Sequence, residues 1–272
     1  MPRVMGILNV TPDSFSDGGC YLAPEAAVAQ ARLMVEEGAA VIDVGGESTR
    51  PGAAPVAEEE ELRRVVPVIE ALAVEIPSTV ICIDTRKASV MRAAVAAGAG
   101  MINDVSALRH DGALAAAVEL QVPVCLMHMQ GEPRSMQAAP LYQDVVSEVK
   151  AFLAKRALLC ERAGLSRTRL LVDPGFGFGK NMDHNLQLLR ELARFADLNL
   201  PLVVGLSRKS MIGTLLDVPV GQRLYGSIAL AALAVCQGAR LIRAHDVAAT
   251  VQAVKMAAAV TAAGPWGPRG SA

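Results

Sequence analysis

Short apolar runs rich in β-branched residues recur along the chain, and each is followed by an Ala/Leu/Glu-rich stretch of helical length. Runs at 3–9 (RVMGILN), 40–44 (AVIDV), 79–83 (TVICI), 100–103 (GMIN), 122–127 (VPVCLM), 169–173 (RLLVD), 201–205 (PLVVG) and 239–243 (ARLIR) predict eight strands. Helices are predicted near 24–37, 57–75, 87–97, 112–120, 142–163, 183–196, 222–237 and 246–263, with Gly38, Gly98, Gly164 and Gly238 placed where helix C-terminal glycines belong. This alternation is the signature of parallel βα units. With eight units and no Gly-x-Gly-x-x-Gly fingerprint, a closed (β/α)8 TIM barrel of the α/β class is expected rather than an open doubly wound sheet. The similar phrases EEGAAVIDV, AAGAGMIND and CQGARLIRA read as repeated helix-to-strand turn chemistry, too irregular for a solenoid. One domain over 1–264 is expected, with a frayed Gly/Pro-rich tail over 265–272.

Composition narrows the class. The 272 residues and 28.4 kDa suit a single barrel of this kind, which takes about 250 residues, and 52% hydrophobic residues provide a large core. A net charge of -1 supplies no general field for nucleic acid or an anionic membrane, so any anion site must be local. The five cysteines, at 20, 82, 125, 160 and 236, form no Cys-x-x-Cys pair and indicate neither a zinc knuckle nor a disulfide framework. The apolar start is too short for a signal peptide, and the stretches 227–236 and 247–263 are too short for a span or broken by Gln252 and Lys255. A soluble, cytoplasmic protein without nucleic-acid or membrane partners is expected.

In a parallel barrel the active site lies where the strands end, and polar groups stand there in every unit. They are Asn9; Asp43, then Glu47, Ser48, Thr49 and Arg50; Asp84; Asn103 and Asp104; His128; Asp173; Ser207, Arg208 and Lys209; and Arg243, His245 and Asp246. Any single one could be a cap or a turn residue, and Asp13, Asp104 and Asp246 are expected to be such supports. His110 and His184 are expected at the surface, while His128, between Met127 and Met129, is open to a packed or a contacting role. Asp84, Asn103 and Asp173 suit a flat heterocycle rich in N–H donors. Arg50, Arg208, Lys209 and Arg243 with His245 suit an anion such as a phosphate or carboxylate. The stretch VDPGFGFGK at 172–180 matches neither a dinucleotide fingerprint nor a Walker loop, and its two phenylalanines read as the floor or wall of a ligand pocket. A Schiff-base lyase using Lys209, or a binding module without catalysis, are the rival readings.

Eight segments, in order, resemble the motifs of the dihydropteroate synthase family: MGILNVTPDSFSDGG (5–19), DVGGESTRPGA (43–53), IDTRKASV (83–90), INDVSAL (102–108), LMHMQGEPRSMQ (126–137), DPGFGFGK (173–180), GLSRKSMIG (205–213) and RAHDV (243–247). Arg86 and Ala244 depart from the usual pattern without removing a functional group. The resemblance implies a homodimeric barrel transferase of folate biosynthesis. It would join 6-hydroxymethyl-7,8-dihydropterin diphosphate to 4-aminobenzoate, releasing diphosphate with the help of Mg2+ by an SN1-like path. It further implies that Asp84, Asn103, Asp173 and Lys209 hold the pterin, and that Asn9 supports the magnesium-bound diphosphate together with Arg243 and His245. Thr49, Arg50, Pro51, Phe178 and Ser207 would shape the aminobenzoate site, and Phe15 and Asp17 would arrive on loop closure.

Overall fold

The computed structural model describes residues 1–11, 23–48, 52–132, 136–137 and 139–263. Within them the eight apolar runs form eight strands: β1 Arg3–Asn9, β2 Val41–Gly45, β3 Val80–Asp84, β4 Met101–Asp104, β5 Val124–Met127, β6 Leu170–Asp173, β7 Val203–Gly205 and β8 Leu241–Ala244. The sheet runs β6-β5-β4-β3-β2-β1-β8-β7, with adjacent strands in this order paired in parallel. It closes between β6 and β7 through a single bridge, Val172 to Leu202, where the Val172 amide donates to the Pro201 carbonyl at 3.0 Å. Pro201 has no N–H to return, and β7 is only three residues long, so this is the weakest seam of a nearly closed barrel.

Outside the sheet lie α1 Ala23–Glu36, α2 Glu58–Glu75, α3 Ala88–Ala96, α4 Ala113–Leu120, α5 Val145–Arg162, α6 Met182–Arg190, α7 Ser210–Leu216, α8 Leu224–Cys236 and α9 Val247–Ala262. The repeated glycine phrases have one geometry. After α1, α3, α5 and α8 the glycine stands at φ of 101°, 118°, 104° and 100°, and it and the next residue donate back to carbonyls in the last turn. Those next residues, Ala39, Ala99, Leu165 and Ala239, are buried, which turns the chain from helix into core and on to the next strand.

Helix α7 is not expected from the sequence. Gly213 lies within its seven residues, and Arg223 packs against that glycine while donating to the Arg208 carbonyl, so tertiary contact maintains a turn that propensity alone does not mark. The helix predicted over 183–196 divides into α6 and a 3-10 stretch, Leu192–Leu198. The tail expected over 265–272 lies outside the described residues, as does Gly264.

Inside the barrel, side chains of one strand face repeat every second residue. Met5, Val41, Cys82, Met101, Cys125, Val203 and Leu241, with Leu171, contribute one apolar side chain from each strand and fill the floor. Two residues further along β2, β3, β4, β6 and β8 stand Asp43, Asp84, Asn103, Asp173 and Arg243. The apolar layer therefore carries a polar layer directly above it. A second, larger core joins the outer sheet face to the helices and includes Phe176, which is 1% exposed. This corrects the expectation that both phenylalanines of the glycine loop line a pocket: only Phe178 is on that side. Replacing Phe176 with Ala should cost about 3–5 kcal/mol of unfolding free energy by urea denaturation.

Candidate active site

Arg243 reaches across the barrel mouth. Its Nε donates to Asp43 Oδ2 at 2.5 Å and its Nη2 to Asp84 Oδ2 at 2.7 Å, while Asn103 Nδ2 donates to the same Asp43 oxygen at 3.3 Å. Asp43 was visible in the sequence only as the end of β2, with no chemistry assigned; the structure makes it the centre of this network. Gly45 lies beside the group: a Cβ built on it would stand 3.8 Å from Asn9 Oδ1 and 3.9 Å from Asp84 Oδ2, which places Asn9 next to Asp84. Among the described residues, Asp43 Oδ1 and Asp84 Oδ1 are buried without a hydrogen-bond partner. A buried acceptor left unsatisfied is costly, so both oxygens are suited to N–H donors brought by a ligand.

Burial pushes the Asp84 carboxyl up, against the opposing pull of Arg243. The same desolvation raises Asp173 to about 6, although its Oδ1 accepts the Gly175 amide at 2.7 Å. Burial acts to lower the Arg243 guanidinium, and Asp43 and Asp84 more than reverse it. Lys209 is lowered to about 8 by burial and by the positive charge of Arg243, and its Nζ stands 4.2 Å from the centre of the Phe178 ring. Ser207 Oγ lies 3.0 Å from His245 Nδ1 and accepts the His245 amide at 3.1 Å, linking the ends of β7 and β8. The predicted set Asn9, Asp84, Asn103, Asp173, Phe178, Ser207, Lys209, Arg243 and His245 thus stands at the strand ends of one barrel mouth. Asp17, Thr49, Arg50 and Pro51 lie outside the described residues, as does Phe15.

One other expectation changes, and the open reading of His128 is resolved. Arg208, read as an anion ligand, instead donates from Nε to Asp246 at 3.0 Å, so its charge is spent on the barrel rim. His128 is packed: its ring meets Phe152 edge-on at 4.8 Å, and burial and the charge of Lys180 lower it to about 2. Asp104 is the support expected of it, buried and accepting from the amides of Ser106 and Leu108, both at 2.7 Å. His110 is exposed and His184 is half-buried. Arg86 joins Glu47 after β2 to Glu132 after β5, each at 3.2 Å, and Lys87 donates to Glu47, Glu61 and the Val56 carbonyl. These pairs hold the described flanks of 49–51.

The loop after β6 turns on two features. Gly175 has φ of 68°, and a Cβ there would lie 1.9 Å from the His128 carbonyl oxygen, so the backbone passes where no side chain fits. Lys180, overlooked in the sequence, is 2% exposed and donates to the carbonyls of Gly175 at 2.9 Å and Phe178 at 3.0 Å, with His128 Nδ1 at 2.9 Å. It ties the loop closed from beneath and sets Phe178 against Lys209. Burial lowers Lys180 to about 7. Between that value and the ordinary lysine range the unfolded chain binds a proton that the folded chain does not, so stability gained from this group rises with pH. Urea denaturation from pH 7 to 10 should therefore show wild type gaining stability relative to Lys180→Met; parallel pH profiles would contradict this.

A cation has no ready-made cage here: among the described residues no group of three or more His, Cys, Asp or Glu could hold a metal. None of the described helices is long and apolar enough to cross a membrane.

Comparison with known proteins agrees with this geometry. The family described as pterin binding enzyme matches residues 5–245. The chain is 55% identical over 262 residues to dihydropteroate synthase of Escherichia coli (strain K12), covering 96% of this chain and 93% of that one. A Xanthomonas albilineans dihydropteroate synthase structure with 4-aminobenzoic acid superposes with a TM-score of 0.91 at 56% identity, covering 97% and 94%. The same enzyme in complex with 7,8-dihydropteroate gives 0.87 at 53% identity, covering 97% and 95%.

Proposed function

The chain belongs to the pterin-binding enzyme family, as a dihydropteroate synthase, and within that family we infer how its barrel mouth divides the work. It is a transferase that condenses 6-hydroxymethyl-7,8-dihydropterin diphosphate with 4-aminobenzoate to give 7,8-dihydropteroate and diphosphate in folate biosynthesis. The observation that carries the site reading is the pair of buried, unsatisfied carboxylate oxygens on Asp43 and Asp84 beside Asn103. A pterin ring offers N–H groups along one edge and acceptors on another, so Asp84, Asp173 and Asn103 bind that edge and Lys209 donates to the ring acceptors. Asp84 and Asp173 also favour positive charge developing on the ring.

Loss of diphosphate from a methylene conjugated to the electron-rich ring leaves a resonance-stabilised cation, which supports an SN1-like path without a protein nucleophile. Arg243 and His245 then neutralise charge growing on the leaving group. Mg2+ fits the donor set in a limited way. Asn9 would supply one protein oxygen, and the remaining ligands would come from diphosphate and water, the habit of this ion where no acidic cage exists. When bound, it adds positive charge to the leaving group. Phe178 and Ser207 shape the aminobenzoate site, and the family resemblance assigns Thr49, Arg50, Pro51 and Asp17, outside the described residues, to the same chemistry. The Phe178 ring under the Lys209 ammonium favours a charged, ring-binding lysine over a Schiff-base nucleophile.

A homodimer is supported by apolar side chains left open around α7, α8 and α9: Leu216 is 51% exposed, Tyr225 78%, Leu233 54% and Met256 67%. The thiols of Cys82, Cys125 and Cys160 are buried and unpaired, which supports a reducing, cytoplasmic setting.

Diphosphate release by the full chain should depend on added 4-aminobenzoate; release without that dependence would sink the assignment. Asp173→Asn should lower kcat/KM by about ten- to a hundredfold, the worth of a hydrogen bond to a charged group.

A further inference from the structure

The turn from β7 into α7 places an arginine where a turn ordinarily calls for glycine. The Lys209 amide donates to the Leu206 carbonyl at 3.4 Å to join the ends of the turn, and its third residue, Arg208, stands at φ of 57°. Type II turns put Gly or Asn at the position of positive φ, because a Cβ there crowds the carbonyl oxygen. Among the described residues five other non-glycine residues have positive φ, but only Arg208 has a residue of the site on each side. Ser207, before it, meets His245, and Lys209, after it, stands against Phe178.

Three contacts hold Arg208 in this conformation. Its amide donates to Ser227 Oγ at 3.0 Å, its carbonyl accepts from Arg223 Nη1 at 3.0 Å, and its Nε donates to Asp246. The Ser227 hydroxyl in turn donates to the Arg223 carbonyl at 2.6 Å, so Arg208, Ser227 and Arg223 close a ring of hydrogen bonds in which that hydroxyl uses both its proton and a lone pair. Ser227 is 4% exposed, which keeps water from competing for the Arg208 amide. The pair with Asp246 is more open, with the Arg208 side chain 40% exposed, and exposed pairs contribute little. The ring through Ser227 is therefore the main hold on the turn.

We propose that Ser227 is a positioning residue of the reaction: through the Arg208 amide it maintains the left-handed turn that sets Ser207 for aminobenzoate and Lys209 for the pterin at once. This rests on the assignment of those two residues above. Ser227 stands on α8, outside the sheet, and reaches both of them through one peptide. Without its oxygen, only the fraction of molecules that keep the turn binds well, and the apparent affinity for both substrates falls by that fraction.

The test is steady-state kinetics of the full chain with Ser227→Ala, introduced into wild type and into Arg208→Gly. Glycine takes positive φ without steric cost and has no need of the clamp. In wild type, Ser227→Ala should raise KM for 4-aminobenzoate and for the pterin diphosphate by about fivefold each, the worth of one hydrogen bond. Because saturating substrates draw the turn back, kcat should stay within about twofold. In the Arg208→Gly background the same substitution should change each KM by less than about twofold, since the two positions act through one peptide. A solely structural serine would lower the yield of active enzyme, and with it kcat, at unchanged KM in both backgrounds. An unchanged KM for either substrate in wild type, or equal rises in the two backgrounds, overturns the proposal. If Ser227→Ala does not fold, Ser227→Cys, which keeps the shape with a weaker acceptor, carries the same expectation, and Arg208→Asn replaces Arg208→Gly on the same ground. Aminobenzoate-dependent diphosphate release by wild type separates the two failures: release with KM insensitive to Ser227→Ala sinks only the role of Ser227, whereas no release sinks the functional assignment itself.

Discussion

Three carboxylates, Asp43, Asp84 and Asp173, are buried in one layer of a parallel barrel, and the guanidinium of Arg243 makes two of them tolerable there. Everything else about the mouth follows from that compensation. The apolar floor from Met5 to Leu241 keeps water out from below, so the charges are worth more to one another and to a ligand than they would be at a surface. Lys209 and Lys180 stand nearby with depressed proton affinity because burial disfavours each ammonium. The layer is satisfied overall but not atom by atom: two carboxylate oxygens remain without partners, and a donor-rich ring is the chemistry that completes them.

Period-two geometry explains why so much of this was legible in the chain. A strand that places Val41, Cys82, Met101, Leu171 or Leu241 in the floor must place the residue two further along in the mouth. The strand-end polar residues therefore marked the barrel mouth before any distance was known. What strand position does not reveal is who meets whom across the barrel. Asp43 and Arg243 are 200 residues apart, and nothing along either strand marks them as partners, so Asp43 looked like one strand end among eight. For the same reason Arg208 looked available for an anion until its pairing with Asp246 was seen. Helix α7 was missed because contact with Arg223, rather than its own composition, maintains it.

The loop VDPGFGFGK shows the same division at small scale. Its glycines were readable as geometry, and Gly175 indeed passes so close to the His128 carbonyl that any side chain would collide with it. Its phenylalanines divide, Phe176 to the outer core and Phe178 to the mouth. Its lysine, which the sequence did not single out, is a buried clamp, because two loop carbonyls and His128 surround it. A residue type indicates possible chemistry; burial and partners decide which possibility is used.

The most direct measurement of the compensation model is a crystal structure of this chain with a bare pterin bound. The expected arrangement has ring N–H groups on Asp84 and Asp173, with the unpartnered Asp84 Oδ1 taken up by a ring donor. A ring seated away from these carboxylates, with Asp84 Oδ1 still unpartnered, would contradict it.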